Sequence, residues 1–191
     1  MRLIMNIALI GYGYWGKNVF RNLNNNMNIN NIYVFDIIKK KIEDNKKTIF
    51  IKDFNSLLKI KEIDGFIITS PTSTHYKYIT ECLKKNAKIC VTKPITNKFS
   101  ELKLLKKRFS NCNNIFLDHT YLFHSSIRYM KKLISNKSLG KIMYYDSERI
   151  NFGKFHKDMS VIEDLAVHDL YILDYFLKGK FPKKINVTSQ K

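Results

Sequence analysis

Short apolar runs alternate with amphipathic stretches over the first two thirds of this chain. The runs at 3–10, 31–35, 48–51, 63–69, 87–91 and 115–117 are rich in Ile, Val, Phe and Tyr, as strands are. Helix-compatible segments lie between them: 17–23, a lysine-rich stretch at 39–45, one opening at Asp53 as a possible cap, one capped by Thr74 and running to about 86, and one at about 100–109. Strands that are apolar throughout rather than alternating are buried on both faces. With helices between them they predict an α/β fold with a doubly wound parallel sheet. The asparagines Asn24, Asn25 and Asn26 read as a surface loop by composition.

The pattern changes near Asp118 and His119. A helix at 125–134 precedes a partly alternating strand at 141–150, a helix at 164–177 and a strand-like run at 185–188. Residues 1–119 are therefore expected to form one domain, and 120–191 part of a second α/β domain. On the 164–177 helix, Asp164, His168, Tyr171 and Tyr175 make one stripe; Ala166, Leu170, Leu173 and Leu177 make an apolar stripe opposite.

At 191 residues and 45% hydrophobic, the chain can bury a sizeable core and is not disordered by composition. No apolar run approaches the ~20 residues of a membrane span, and the first run leads into a glycine turn rather than a cleavage site. Cys82, Cys90 and Cys112 lack metal-ligand or CxxC spacing, as expected of thiols in a reducing cytoplasm, and no Cys/His cluster has metal spacing. The net charge of +18 attracts polyanions, but only five of the 34 basic residues are arginine, and Lys rises here together with Asn and Ile. Much of the charge is compositional background, so an anionic small substrate suits it better than nucleic acid.

The chemistry begins at Gly11-Tyr12-Gly13-Tyr14-Trp15-Gly16, between the first strand and the first helix. Twenty residues past Gly16 the second strand ends on Asp36. That is the βαβ dinucleotide fingerprint: Gly11 for the tight turn, Gly13 for approach of a pyrophosphate, Gly16 for close packing of helix on strand, with helix N–H groups facing the phosphates. A carboxylate at Asp36 accepts from ribose hydroxyls and repels a 2′-phosphate, which favours NAD over NADP. Thr69, Ser70, Pro71 and His75 follow the fourth strand, and Lys93 and Pro94 the fifth, where a parallel sheet faces its ligand crevice. Lys93 is a candidate for polarising an alcohol. Asp164, one turn before His168, can orient an imidazole that takes a proton.

Taken in order, Gly11-x-Gly13-x-x-Gly16, Thr69-x-Pro71-x-x-x-His75, Lys93-Pro94 and Asp164-x-x-x-His168-Asp169 resemble the Gfo/Idh/MocA oxidoreductases. The run from Ser147 to Gly153 is most similar to the branch with nucleotide-sugar 3-dehydrogenases. The resemblance implies an N-terminal Rossmann domain and a C-terminal domain with an open, mostly antiparallel sheet that also builds a homo-oligomer interface. It implies hydride transfer from a secondary alcohol of a sugar or nucleotide sugar to NAD in a cytoplasmic enzyme. Gly11, Gly13, Tyr14, Trp15, Gly16, Asp36, Thr69, Ser70, Pro71, His75, Lys93 and Pro94 would hold the cofactor. Lys93, Tyr121, Asn151 and His168 would meet the substrate, with Lys93, His168 and Asp164 catalytic. Thr92 stands where the family usually has Glu, and Val167 where many relatives have Pro. Family members are about twice as long, so the second domain is expected to be short. The alternative is a dinucleotide-binding protein without turnover.

Overall fold

Six strands form one parallel sheet in the order β3-β2-β1-β4-β5-β6. They are β1 (Met5–Ile10), β2 (Ile29–Phe35), β3 (Thr48–Phe50), β4 (Gly65–Ile68), β5 (Ile89–Thr92) and β6 (Ile115–Asp118). Helices α1 (Tyr14–Asn25), α2 (Phe54–Lys59), α3 (Thr72–Lys84) and α4 (Phe99–Arg108) alternate with them. The computed structural model describes residues 4–38, 46–110, 112–150, 160–180 and 182–188. The helix expected at 39–45 lies outside the described residues.

The strand pattern follows from burial on two faces. Along β1 successive side chains point to opposite sides, so Ala8 and Ile10 enter one core while Ile7 and Leu9 enter the other. The larger core also takes Phe54 and Leu57 of α2, Tyr78, Ile79, Cys82 and Leu83 of α3, and Leu105 of α4. The smaller takes Phe20 of α1. On α3 the buried positions 75, 78, 79, 82 and 83 recur at helical spacing. Asp53 caps α2: its carboxylate accepts from the Ser56 N–H at 2.8 Å and the Ser56 hydroxyl at 2.7 Å. The chain departs from β1 to β2 and β3 on one side and returns through β4 on the other. The carboxyl ends of β1 and β4 therefore border the crevice of a doubly wound sheet.

Three local expectations are corrected. Helix α1 starts at Tyr14 and takes in Asn24 and Asn25, with Asn26 as its C-cap, so the asparagines are a last helical turn and not a loop. The residue at the cap of α3 is Pro71, whose fixed φ suits a helix start. Thr74 sits inside the first turn and donates its hydroxyl to the Pro71 carbonyl at 2.7 Å.

The chain divides into two units, Met1–Asp118 and His119–Lys191. The second holds a short 3₁₀ turn (Thr120–Phe123), α5 (Ser125–Ser135), a π-helical turn (Ile162–Ala166) and α6 (Val167–Leu177). Its described residues contain no strand, so neither 141–150 nor 185–188 forms the strand expected of it and the antiparallel sheet is not seen. Alternation can assign faces to a strand but cannot supply its neighbour, and an unpaired strand is not stable in water. Met143, Tyr144 and Ile150 are accordingly exposed. On α6 the buried side chains are Ile172 and Phe176, while Leu170 is exposed, so the apolar stripe expected there is not the packed one. Lys131 of α5 donates to the carbonyls of Tyr175 and Phe176 and closes the end of that helix.

Candidate functional site

At the end of β1 the three glycines have three different surroundings. Gly11 has φ +98°, and a Cβ there would lie 2.7 Å from the Ser70 nitrogen. A Cβ on Gly16 would lie 2.2 Å from the Gly11 carbonyl oxygen and 2.9 Å from Thr69 Oγ1. Gly13 faces open space, with nothing within 4 Å of its Cβ position. Two glycines thus let protein pack on protein, and the middle one leaves room beside the start of α1. The N-cap of that helix is Gly13, which has no side chain to bond the first turn. Space and donors together fit a pyrophosphate.

The turn is tied down from both sides. Asp36 accepts from the Tyr12 N–H at 2.6 Å and from the Ile38 N–H at 2.8 Å. The Gly11 N–H donates to the Phe35 carbonyl at 2.8 Å, and the Thr69 hydroxyl donates to the Gly11 carbonyl at 2.7 Å. Tyr12 is buried with its ring edge-on to Phe20, 5.3 Å between centroids, whereas Tyr14 and Trp15 are exposed on the first turn of α1.

The turns after β4 and β5 meet through one side chain. His75 is wholly buried, with Nδ1 3.0 Å from the Pro94 carbonyl oxygen and Nε2 2.8 Å from the Ser70 carbonyl oxygen. Burial depresses its pKa, although main-chain hydrogen bonds with Ser70, Pro94 and Ile95 work the other way. This differs from the expectation that His75 touches a cofactor: it lies behind the turns. Its place on the buried stripe of α3 was the available signal. Ser70 and Thr74 share a hydrogen bond through their hydroxyls at 2.7 Å, and Lys93, joined to Pro94 by a cis peptide bond, is half-buried. The Thr92 hydroxyl donates to the Ile68 carbonyl at 3.4 Å, so the residue in place of Glu bonds the neighbouring strand.

In the second unit, Asp164 lies within the π-helical turn and His168 in the first turn of α6. The His168 ring meets the edge of Tyr121 at 4.8 Å between centroids. The Arg149 guanidinium sits 4.6 Å above the Tyr121 ring, and its Nε and Nη2 donate to the two oxygens of Asp169, the latter at 3.1 Å. Burial would raise the Asp169 pKa, but the bonds from Arg149 and Ser147 outweigh it and hold the carboxyl below its usual range. His119 packs its ring against Tyr171, and burial lowers its pKa to about 4. The chain thus gathers Tyr121, His168, Arg149 and Asp169. Sequence reasoning singled out Tyr121 and His168 but missed Arg149, whose pairing with Asp169 across 20 residues leaves no local signal. Asn151 lies outside the described residues.

Comparison with known proteins agrees with this architecture. A 2,7-anhydro-N-acetylneuraminate hydratase of Mediterraneibacter gnavus is 22% identical over 195 residues, covering 95% of this chain and 51% of that protein. A UDP-N-acetylglucosamine 3-dehydrogenase of Acidithiobacillus ferrooxidans is 26% identical over 131 residues, 68% of this chain and 40% of that one. The crystal structure of scyllo-inositol dehydrogenase from Lactobacillus casei with bound NAD(H) and scyllo-inositol superimposes with a TM-score of 0.74 at 18% identity, covering 91% of this chain and 56% of that one. The chain spans about half the length of these relatives. The Gfo/Idh/MocA family, described as an oxidoreductase family with an NAD-binding Rossmann fold, matches residues 5–118. With its six-stranded parallel sheet and three-glycine turn, the chain belongs to that oxidoreductase family.

Proposed function

We propose that the protein is an NAD-dependent dehydrogenase that oxidises a secondary alcohol of a sugar or nucleotide sugar. The observation that carries the reading is the open space over Gly13 at the start of α1, within a family of NAD-binding oxidoreductases. Residues 1–119 are the cofactor domain, and 120–191 contribute to substrate binding and to a homo-oligomer in the cytoplasm. Gly11, Gly13, Tyr14, Trp15 and Gly16 line the pyrophosphate, and Thr69, Ser70, Pro71 and Pro94 border the crevice. The Asp36 carboxylate accepts from the adenosine ribose and disfavours a 2′-phosphate, so NAD is preferred to NADP.

The nicotinamide, when bound, accepts the hydride. Lys93 positions the substrate hydroxyl and the ribose. His168, oriented by Asp164, takes the hydroxyl proton, and Tyr121 and Asn151 contact the sugar. The test is NADH formation with scyllo-inositol, myo-inositol and UDP-N-acetylglucosamine. Lys93→Ala and His168→Ala are each expected to lower kcat about 10²–10⁴-fold. Turnover unaffected by either substitution overturns the roles assigned to them.

A second reading is favoured by the hydratase relative that covers 95% of the chain. In it the substrate is an anhydro sugar acid and the net reaction adds water. Incubation with 2,7-anhydro-N-acetylneuraminate and NAD, followed by mass spectrometry for a gain of water without net NADH, separates the two.

A further inference from the structure

The fully buried His75 side chain joins the two turns that would carry the ligand residues of the first unit. His75 projects from the first turn of α3 into the core at 0% exposure, and its two ring nitrogens face main-chain carbonyls on two different turns. Ser70 belongs to the turn after β4, and Pro94 to the turn after β5, immediately beyond Lys93. Ser70 and Thr74 bond each other, and Thr96 bonds Lys98 within its own loop.

The geometry points to His75 as a positioning residue, a clasp that fixes the Lys93-Pro94 turn against the Ser70 turn and so sets where the Lys93 amine stands. The inference rests on the reading of Lys93 as a cofactor and substrate contact. A neutral imidazole carries one N–H and donates to one carbonyl at a time; because α3 continues directly from the Ser70 turn, the tautomer with the proton on Nδ1 is the one that ties the Pro94 turn to it. A purely apolar side chain would fill the volume but leave a buried carbonyl without a partner. Asparagine places an amide nitrogen near the position of Nδ1, facing Pro94. Glutamine places one near Nε2, facing Ser70.

The experiment compares His75→Ala, His75→Asn and His75→Gln with the unaltered chain. Amide hydrogen exchange is followed by mass spectrometry in peptides covering 70–74 and 93–98, with β1 and β2 as reference, alongside NADH affinity and the melting temperature. His75→Ala is expected to speed exchange at 93–98 about tenfold and weaken NADH binding about tenfold, with β1 and β2 unchanged. Asn, aimed at Pro94, is expected to restore both, and Gln, aimed at Ser70, to restore neither. His75→Leu replaces Ala in the comparison if Ala does not fold. The clasp is overturned if exchange at 93–98 keeps its rate in the apolar variants, if it rises only in step with β1 and β2, or if Asn does not restore it. A wild type that shows the exchange pattern but binds no NADH keeps the clasp and removes the nicotinamide reading instead.

Discussion

Gly13 and Gly16 are three residues apart and should respond to the same substitution in opposite ways. Alanine at 16 would place a methyl 2.2 Å from the Gly11 carbonyl, so the start of α1 must shift, at a cost of about 1–3 kcal/mol. Alanine at 13 meets no atom within 4 Å. Thermal melts should therefore show a loss for Gly16→Ala and little change for Gly13→Ala, while an NADH titration should show weakened binding in both. A second residue-scale test concerns Asp169. Its carboxyl is held below the ordinary range, so the pair with Arg149 stabilises the fold at neutral pH, and that contribution is lost as pH falls through the lowered value. Asp169→Asn should cost about 1–3 kcal/mol at pH 7, with the difference from wild type closing below about pH 4.

Among the elements, the strands of the first unit were the most legible, because burial on both faces writes a continuous apolar run into the central ones. Helix α1 was read three residues late. Tyr14 and Trp15 form its exposed first turn, and exposed aromatics do not look like a helix start. Gly11 and Gly16 were readable because a positive φ and a close backbone approach demand glycine there. The burial of His75 was not legible from its turn: a polar residue beside a ligand crevice reads as a contact, and only the stripe of α3 reveals that it faces inward. The π-helical turn at Ile162–Ala166, the missing strand at 141–150 and the Arg149–Asp169 pair depend on distant neighbours, which spacing does not encode. The stripe of α3 makes its own prediction. Ile79 is fully buried, so Ile79→Ala should cost about 2–5 kcal/mol, read as a lower urea midpoint with an unchanged slope.

For the whole molecule, two histidines whose surroundings disfavour charge, His75 buried and His119 half-buried, set a common response to acid. His75 has a lowered pKa, and that of His119 falls from 6.5 to about 4, so the unfolded chain binds protons that the native one refuses. Stability should decline as pH drops from about 6.5 toward 4, where His119 itself begins to charge. Melting temperatures across that range check it: His119→Phe should flatten the part of the decline that belongs to the second unit. If the slope is the same without either histidine, the acid response belongs elsewhere.

The bond from the Tyr12 N–H to Asp36 has a thermodynamic consequence for ligand capture. It fastens the glycine turn to the end of β2 through the protein's own atoms, so the turn is ordered before anything docks. The conformational entropy of that loop is then lost on folding and not on association. A dinucleotide should bind with a heat-capacity change set by the surface it covers, without the excess that accompanies a loop condensing around its guest.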